Sequence, residues 1–328
     1  FKWVLRERNR KIAAKTEVFT EQQARRVRSF HSSFKEYSPT PLIELTSLAQ
    51  HLGIKNLLVK DESYRFGLNA FKVLGGSFAI GSYIANELGE DIDDLPYMRL
   101  VSDEVRSLLG SKTFITTTDG NHGRGVAWTA NRLKQQAIVY MPQGSAAERL
   151  ANIRAEGAQA EITDMNYDDT VRYTSELAQK NGWIIVQDTA WDGYTRIPLW
   201  IMHGYMTMAL EAYEQLPVKP THIFLQAGVG SLAGSVQGFF ADIYGSSCPL
   251  TFIVEPKGAD CLYQTAAAND GSLHSVTGRL ETIMAGLACG EPNSIAWEIL
   301  GNLSDGFISC PDYTAAQGMR ILGNPLAG

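Results

Sequence analysis

The sequence predicts an α/β protein with two lobes and mainly parallel sheets. Three observations carry that prediction. From about residue 57, short β-rich runs alternate with helical patterns, the signature of strands joined by crossover helices. The 328 residues are enough for two domains,. Each run rich in glycine or small polar residues follows a strand candidate or opens a helix. In α/β sheets, ligands bind beyond the carboxyl ends of the strands.

The expected strands cover 57–60, 113–117, 137–141, 160–163, 183–187, 222–226 and 251–254. A helix is expected over 145–155, with Ser145 and Glu148 as a capping box,. Another is expected over 168–180, stopped by Asn181-Gly182,. The acidic, turn-like run GEDIDDLP at 89–96 is the best break between lobes. It is expected to open a small domain, 89–182, set within a discontinuous large domain, 1–88 with 183–328.

Composition narrows the function. Apolar residues make up 45% and charged residues 20%, which suits a soluble protein with a sizeable core,. The net charge of −6, from 29 basic and 35 acidic side chains, gives no reason to expect nucleic acid,. Residues 1–36 are an exception, with ten Lys/Arg against four Glu. Such an arm can bind nucleic acid or target the chain, but a solvated helical arm or oligomer contact fits its aromatics and acids better. No apolar run is long enough to span a membrane and no secretion signal is evident,, so a cytoplasmic protein is expected. The first residue is Phe1, which leaves the native start open. The four cysteines, Cys248, Cys261, Cys289 and Cys310, lack the CxxC spacing of a zinc or redox site,. No metal site is expected. Cys261 and Cys289 could pair, but free thiols suit a cytoplasmic protein better.

Four features carry chemistry. Lys72 stands among Phe71, Val73 and Leu74 at the start of a helical segment. Desolvation there is expected to lower its pKa and free the amine for Schiff-base chemistry. Alone, it reads better as a snorkelling surface lysine; the two loops that follow weaken that reading. The loop Gly228-Val229-Gly230-Ser231-Leu232 joins a strand to a helix. Its backbone N–H groups can cradle a phosphate, with the Ser231 hydroxyl adding a contact. Close helix–strand packing is the alternative. It is neither a Walker loop nor GxGxxG,.

The loop Thr118-Asp119-Gly120-Asn121-His122-Gly123 likewise follows a strand. Thr118, Asn121, His122 and the helix-start N–H groups are candidates to hold a substrate carboxylate, although a histidine there is often structural. Asp119 would repel such a carboxylate unless it moves a proton. Asp188, after the strand candidate 183–187, is either a second proton-transfer group or an Asx-turn.

In this order, these residues resemble the fold-type II pyridoxal-phosphate (PLP) enzymes, which implies two α/β lobes with the active site between them. Within that group the chain looks most similar to the diaminopropionate ammonia-lyase family, through KDESYRFGLNAFKVLGGSFA, TTTDGNHGRGVAW, QDTAW and GVGSLAGSV. The resemblance implies α,β-elimination of ammonia from D- and L-2,3-diaminopropionate through an aminoacrylate to pyruvate and ammonia. Lys72 would hold the cofactor, Gly228, Val229, Gly230, Ser231 and Leu232 its phosphate, and Asn121 its ring. Asp119 and Asp188 would serve the D- and L-isomer, respectively. Asp119 stands where the dehydratases of the group have a small residue. A homodimer acting on a small amino acid is also implied. The alternatives are a serine/threonine dehydratase or related lyase, and a non-catalytic PLP-binding protein. The family's Ser or Thr near the pyridine nitrogen has no match before the closing Asn324-Pro325-Leu326-Ala327-Gly328, so a C-terminal part is expected to be missing.

Overall fold

The computed structural model describes residues 1–7 and 16–324. Part of the basic arm, 8–15, and the closing residues 325–328 lie outside the described residues.

Strand candidates and helical patterns become alternating elements. The strands are β1 (Lys2–Leu5), β2 (Leu42–Glu44), β3 (Leu58–Lys60), β4 (Thr113–Thr117), β5 (Gln136–Met141), β6 (Gln159–Ile162), β7 (Ile184–Ile185), β8 (His222–Gln226), β9 (Leu250–Pro256) and β10 (Gly306–Cys310). The α-helices begin with α1 (Glu21–Ser32), α2 (Thr46–Leu52), α3 (Lys72–Leu88), α4 (Tyr97–Leu100), α5 (Asp103–Leu109), α6 (Asn121–Arg132) and α7 (Ala147–Ala155). They continue with α8 (Tyr167–Asn181), α9 (Arg196–Gln215), α10 (Ser231–Tyr244), α11 (Cys261–Ala268), α12 (Ser294–Leu303) and α13 (Asp312–Leu322).

Two four-stranded sheets result among the described residues. One runs β6-β5-β4-β7, all parallel. The other runs β1-β10-β9-β8, parallel except for antiparallel β1 at its edge. β2 and β3 form a separate antiparallel pair. Because β7 joins the first sheet, that sheet reaches past residue 182.

The second sheet is covered unequally. Leu225, Ile253 and Phe307 point to the core. The alternate residues Trp3, Leu5, Phe224 and Leu250 are exposed, and Phe224 stacks on Phe252.

Two helices apolar on most sides form the centre, as expected for buried helices. α3 buries most residues from Val73 to Ala85, and α9 most from Ile201 to Glu211. Glycine lets them meet: a Cβ on Gly204 would stand 2.2 Å from the Leu74 carbonyl oxygen. On the other flank, a Cβ on Gly125 of α6 would stand 2.8 Å from the Val73 Cα. His31 adds a polar clamp, with Nδ1 on the Thr207 hydroxyl and Nε2 on the Leu74 carbonyl. Burial pushes its pKa down to about 3, so it acts as a neutral ring,. The first turn of α3 is thereby held from three sides.

Two local expectations differ. The helix expected at 145–155 starts after Ala146, which caps it without a side-chain bond, so the Ser145/Glu148 capping box does not form. The strand expected over 183–187 shrinks to two residues, because the Gln187 N–H bonds the Tyr194 hydroxyl instead of a strand. The 168–180 helix is capped by the Asn166 side chain and stopped by Gly182 in the left-handed region. The 89–96 run starts at Gly89, the α3 C-cap, and Arg26 of α1 pairs with its Asp91 and Asp93. No described helix is long and apolar enough to cross a membrane.

Candidate active site

Four chain segments converge on one cavity. It is lined by Lys72 from the start of α3, Asp119 and Asn121 from the β4–α6 turn, Asp188 beyond β7, and Gly228 to Leu232 from the β8–α10 turn. Tyr205 of α9 and Cys289 complete its charged and polar wall. Thr118 and His122 are not brought to it. The Thr118 hydroxyl accepts from the Gly120 N–H at 2.9 Å and so holds the turn itself. His122 is buried with Nε2 on the Val186 carbonyl at 2.7 Å, and burial pushes its pKa down. It ties α6 to the end of β7.

The Lys72 Nζ donates to Asp188 Oδ2 at 2.6 Å. This reverses the expectation for the amine. Burial does disfavour its charge, but the Asp188 carboxylate outweighs it, and the lysine pKa is raised. The pairing acts equally on Asp188. Burial alone would raise the carboxyl, yet Lys72, followed by His122, holds it down at about 2. Before the cofactor is attached the pair is therefore an ammonium and a carboxylate, and Lys72 becomes nucleophilic only after giving up a proton.

Asp119 is the opposite case. Burial pushes its pKa up, Lys72 and Arg149 pull against that, and the Asp188 charge adds to the rise. Arg149 reaches it from α7, with Nη1 3.2 Å from Oδ2 and 2.9 Å from the Asp119 carbonyl oxygen. That arginine is 41% exposed, so its hold is weakened by solvent,.

The turn after β8 has the backbone needed for an anion. Gly230, the N-cap residue of α10, has φ of 102°, a conformation natural to glycine. The N–H groups of the helix's first turn have no intrahelical partners, and the turn carries no Lys or Arg. The Ser231 hydroxyl is committed elsewhere: it donates to the Asp188 carbonyl and accepts from Asn293 Nδ2. The expected phosphate contact thus falls to the backbone. Asn293 also donates to the Asp188 carbonyl and caps α12 through Oδ1, locking the Asp188 segment to the glycine turn.

Sequence reading missed Tyr205, Cys289 and Asn293 as parts of this region. Asn293 before the helical pattern SIAWEIL carries a legible N-cap signal,. Tyr205 lies mid-helix without a local motif, and Cys289 was weighed only as a disulfide partner. None of the four cysteines is in a disulfide.

The residues suit pyridoxal phosphate: an amine for its aldehyde, a helix-start cradle for its phosphate, and an open mouth where Asn121 stands exposed. Comparison with known proteins agrees. The family model "Pyridoxal-phosphate dependent enzyme" matches residues 34–324. The chain belongs to the pyridoxal-phosphate-dependent enzyme family. It is 53% identical over 306 residues to "Diaminopropionate ammonia-lyase" of Salmonella typhimurium, covering 92% of this chain and 76% of that relative. It is also 53% identical to the Escherichia coli K12 protein of the same name, over 94% of this chain and 77% of the relative. The solved structure of the holo Diaminopropionate ammonia lyase from Escherichia coli superposes with a TM-score of 0.90 at 51% identity, over 99% of this chain and 81% of that one. The fold is thus that of the fold-type II group and the cofactor is pyridoxal phosphate. A threonine deaminase from Solanum lycopersicum, 20% identical with a TM-score of 0.73, shares the fold.

Proposed function

We propose that the chain is an ammonia-lyase for 2,3-diaminopropionate that accepts both the D- and the L-isomer. It eliminates the β-amino group as ammonia and leaves 2-aminoacrylate, which water converts to pyruvate and a second ammonia. The observation that carries this reading is one cavity holding a lysine and two carboxyl groups whose pKa values are moved in opposite directions by their surroundings, in a chain 53% identical to two diaminopropionate ammonia-lyases. Another solved structure of the Escherichia coli enzyme is described as a complex with an aminoacrylate-PLP azomethine reaction intermediate.

In this proposal bound pyridoxal phosphate supplies the electron sink for loss of the α-proton. Lys72 attaches it, and the N–H groups of Gly228, Val229, Gly230, Ser231 and Leu232 hold its phosphate. Asn121 stands by its ring. The isomers present the α-proton from opposite sides, so one base cannot serve both. Asp188, already ionised beside Lys72, takes the proton of the L-isomer; Asp119 takes that of the D-isomer. General-base removal is worth about 10²–10⁴-fold for each. The large domain is assigned 1–88 with 183–328 and the small domain 89–182, with β7 crossing that boundary to complete the small domain's sheet. A homodimer, as the family resemblance implies, and a cytoplasmic location, which four cysteines outside any disulfide suit,, complete the proposal.

The test is pyruvate release from each isomer compared with L-serine and L-threonine. Diaminopropionate is expected to be preferred by at least tenfold. Faster turnover of serine or threonine would instead identify a dehydratase.

A further inference from the structure

Two hydroxyl-bearing residues line the cavity, Ser231 and Tyr205. The Ser231 hydroxyl is committed to the Asp188 carbonyl. The Tyr205 hydroxyl is buried and has no hydrogen-bond partner. Buried polar groups are almost always paired, and leaving one unpaired is costly, so this hydroxyl needs a partner at some stage of the working cycle. Its placement is firm. The ring lies edge-on to Phe71, the residue before Lys72, with centroids 5.2 Å apart. The far end of the ring abuts α3, where a Cβ on Gly75 would stand 2.7 Å from Cε1 and 2.9 Å from Cζ. Burial keeps the phenol protonated, and the charges of Lys72 and Asp188 both act on it. It is therefore a neutral donor fixed in the wall of the cavity that also holds the ion pair.

The Lys72–Asp188 contact cannot persist unchanged through a cycle in which the lysine nitrogen is bonded to a cofactor. Once that nitrogen is engaged, Asp188, only 3% exposed, loses the ammonium that keeps it ionised. A carboxylate in that setting needs another donor. We infer that Tyr205 is a positioning residue for Asp188, donating its hydroxyl to the carboxylate whenever Lys72 is engaged with the cofactor. This inference rests on the reading of Asp188 as the L-isomer's base. The two can fail separately, because the coupling of Tyr205 to Asp188 can be read without turnover.

The experiment uses the full chain loaded with pyridoxal phosphate. Tyr205→Phe keeps the ring against Phe71 and Gly75 and removes only the hydroxyl. The pH titration of the cofactor's visible absorption band is measured for the parent, Tyr205→Phe, Asp188→Asn and the double variant. Tyr205→Phe should shift the titration by about one pH unit in the parent, the scale of one hydrogen bond to a charged group. In the Asp188→Asn background it should shift it by much less. In the kinetics, kcat for the L-isomer should fall relative to the D-isomer by about tenfold, with KM changed little. Tyr205→Ala, which also removes the packing, serves as a stability control read by thermal melting. An equal shift in both backgrounds, or no shift with Tyr205→Phe, would overturn the inference. A clear coupling together with unimpaired L-isomer turnover in Asp188→Asn would instead overturn the base assignment and leave the inference standing.

Discussion

Asp119 and Asp188 occupy corresponding places, each just beyond a strand of the same parallel sheet, yet their surroundings give them opposite characters. Asp188 is fully enclosed and bonded to Lys72, which holds it ionised at about 2. Asp119 lies where burial raises its pKa, and its cationic partner, Arg149, is half in solvent. Position in an α/β fold thus delivers a carboxylate to the cavity, and the neighbour decides its charge. The same contrast marks the two turns that open α6 and α10. One turn keeps its own polar side chain busy, as Thr118 does with the Gly120 N–H. The other keeps its backbone donors free and spends its serine on the Asp188 carbonyl.

The largest expected effect removes the lysine that sets the contrast. Lys72→Ala should abolish turnover of both isomers and the visible absorption of bound cofactor; spectrophotometry after reconstitution reads both. It should also raise the Asp188 pKa, since burial would lose its largest opponent,. An unchanged band would sink the attachment site.

A crowding test comes next. Gly125→Val places a Cβ 2.8 Å from the Val73 Cα, and backbone cannot yield there cheaply. A loss of about 1–3 kcal/mol is expected, measured by urea unfolding, with Lys72 displaced and cofactor affinity reduced.

The pH profiles sharpen the comparison itself. A base works only when deprotonated, so the one with the higher pKa fails first as pH falls. D-isomer turnover should therefore decline on the acid side at a higher pH than L-isomer turnover, measured as kcat/KM across the acid range. Coincident acid limbs would mean that one group serves both isomers. Arg149→Gln should move the D-isomer limb further up, by less than one unit given the arginine's exposure.

The smallest effect is on stability. His31 and His203 are pushed down by burial to about 3 and about 4 in the folded chain, from an ordinary 6.5. Below pH 6.5 the unfolded chain takes up protons that the folded chain refuses, so stability present above that value is lost progressively as pH falls. His31→Gln should flatten this slope in thermal melts between pH 6.5 and 4.

Much of this was legible in the sequence. The strand candidates 113–117 and 222–226 match β4 and β8, because apolar β-rich runs bounded by glycine turns are local signals,. The glycine turn and the Asp119 turn were readable for the same reason. The Lys72 charge state was not: flanking apolar residues suggested a lowered pKa, while a carboxylate 116 positions away raises it. Tyr205 was equally hidden, since only the α3–α9 crossing at Gly204 brings it to the cavity. The 145–155 helix kept its body but not its capping box, because N-cap geometry depends on one residue's conformation,.

The central claim is that the two carboxylates serve different isomers. It is tested most directly by measuring kcat/KM for D- and L-diaminopropionate with Asp119→Asn and Asp188→Asn, each checked for bound cofactor. The account predicts a crossed pattern. Asp119→Asn should lose about 10²–10⁴-fold on the D-isomer, and Asp188→Asn a similar factor on the L-isomer, with the other isomer less affected in each case. Equal losses on both isomers in either variant would contradict it.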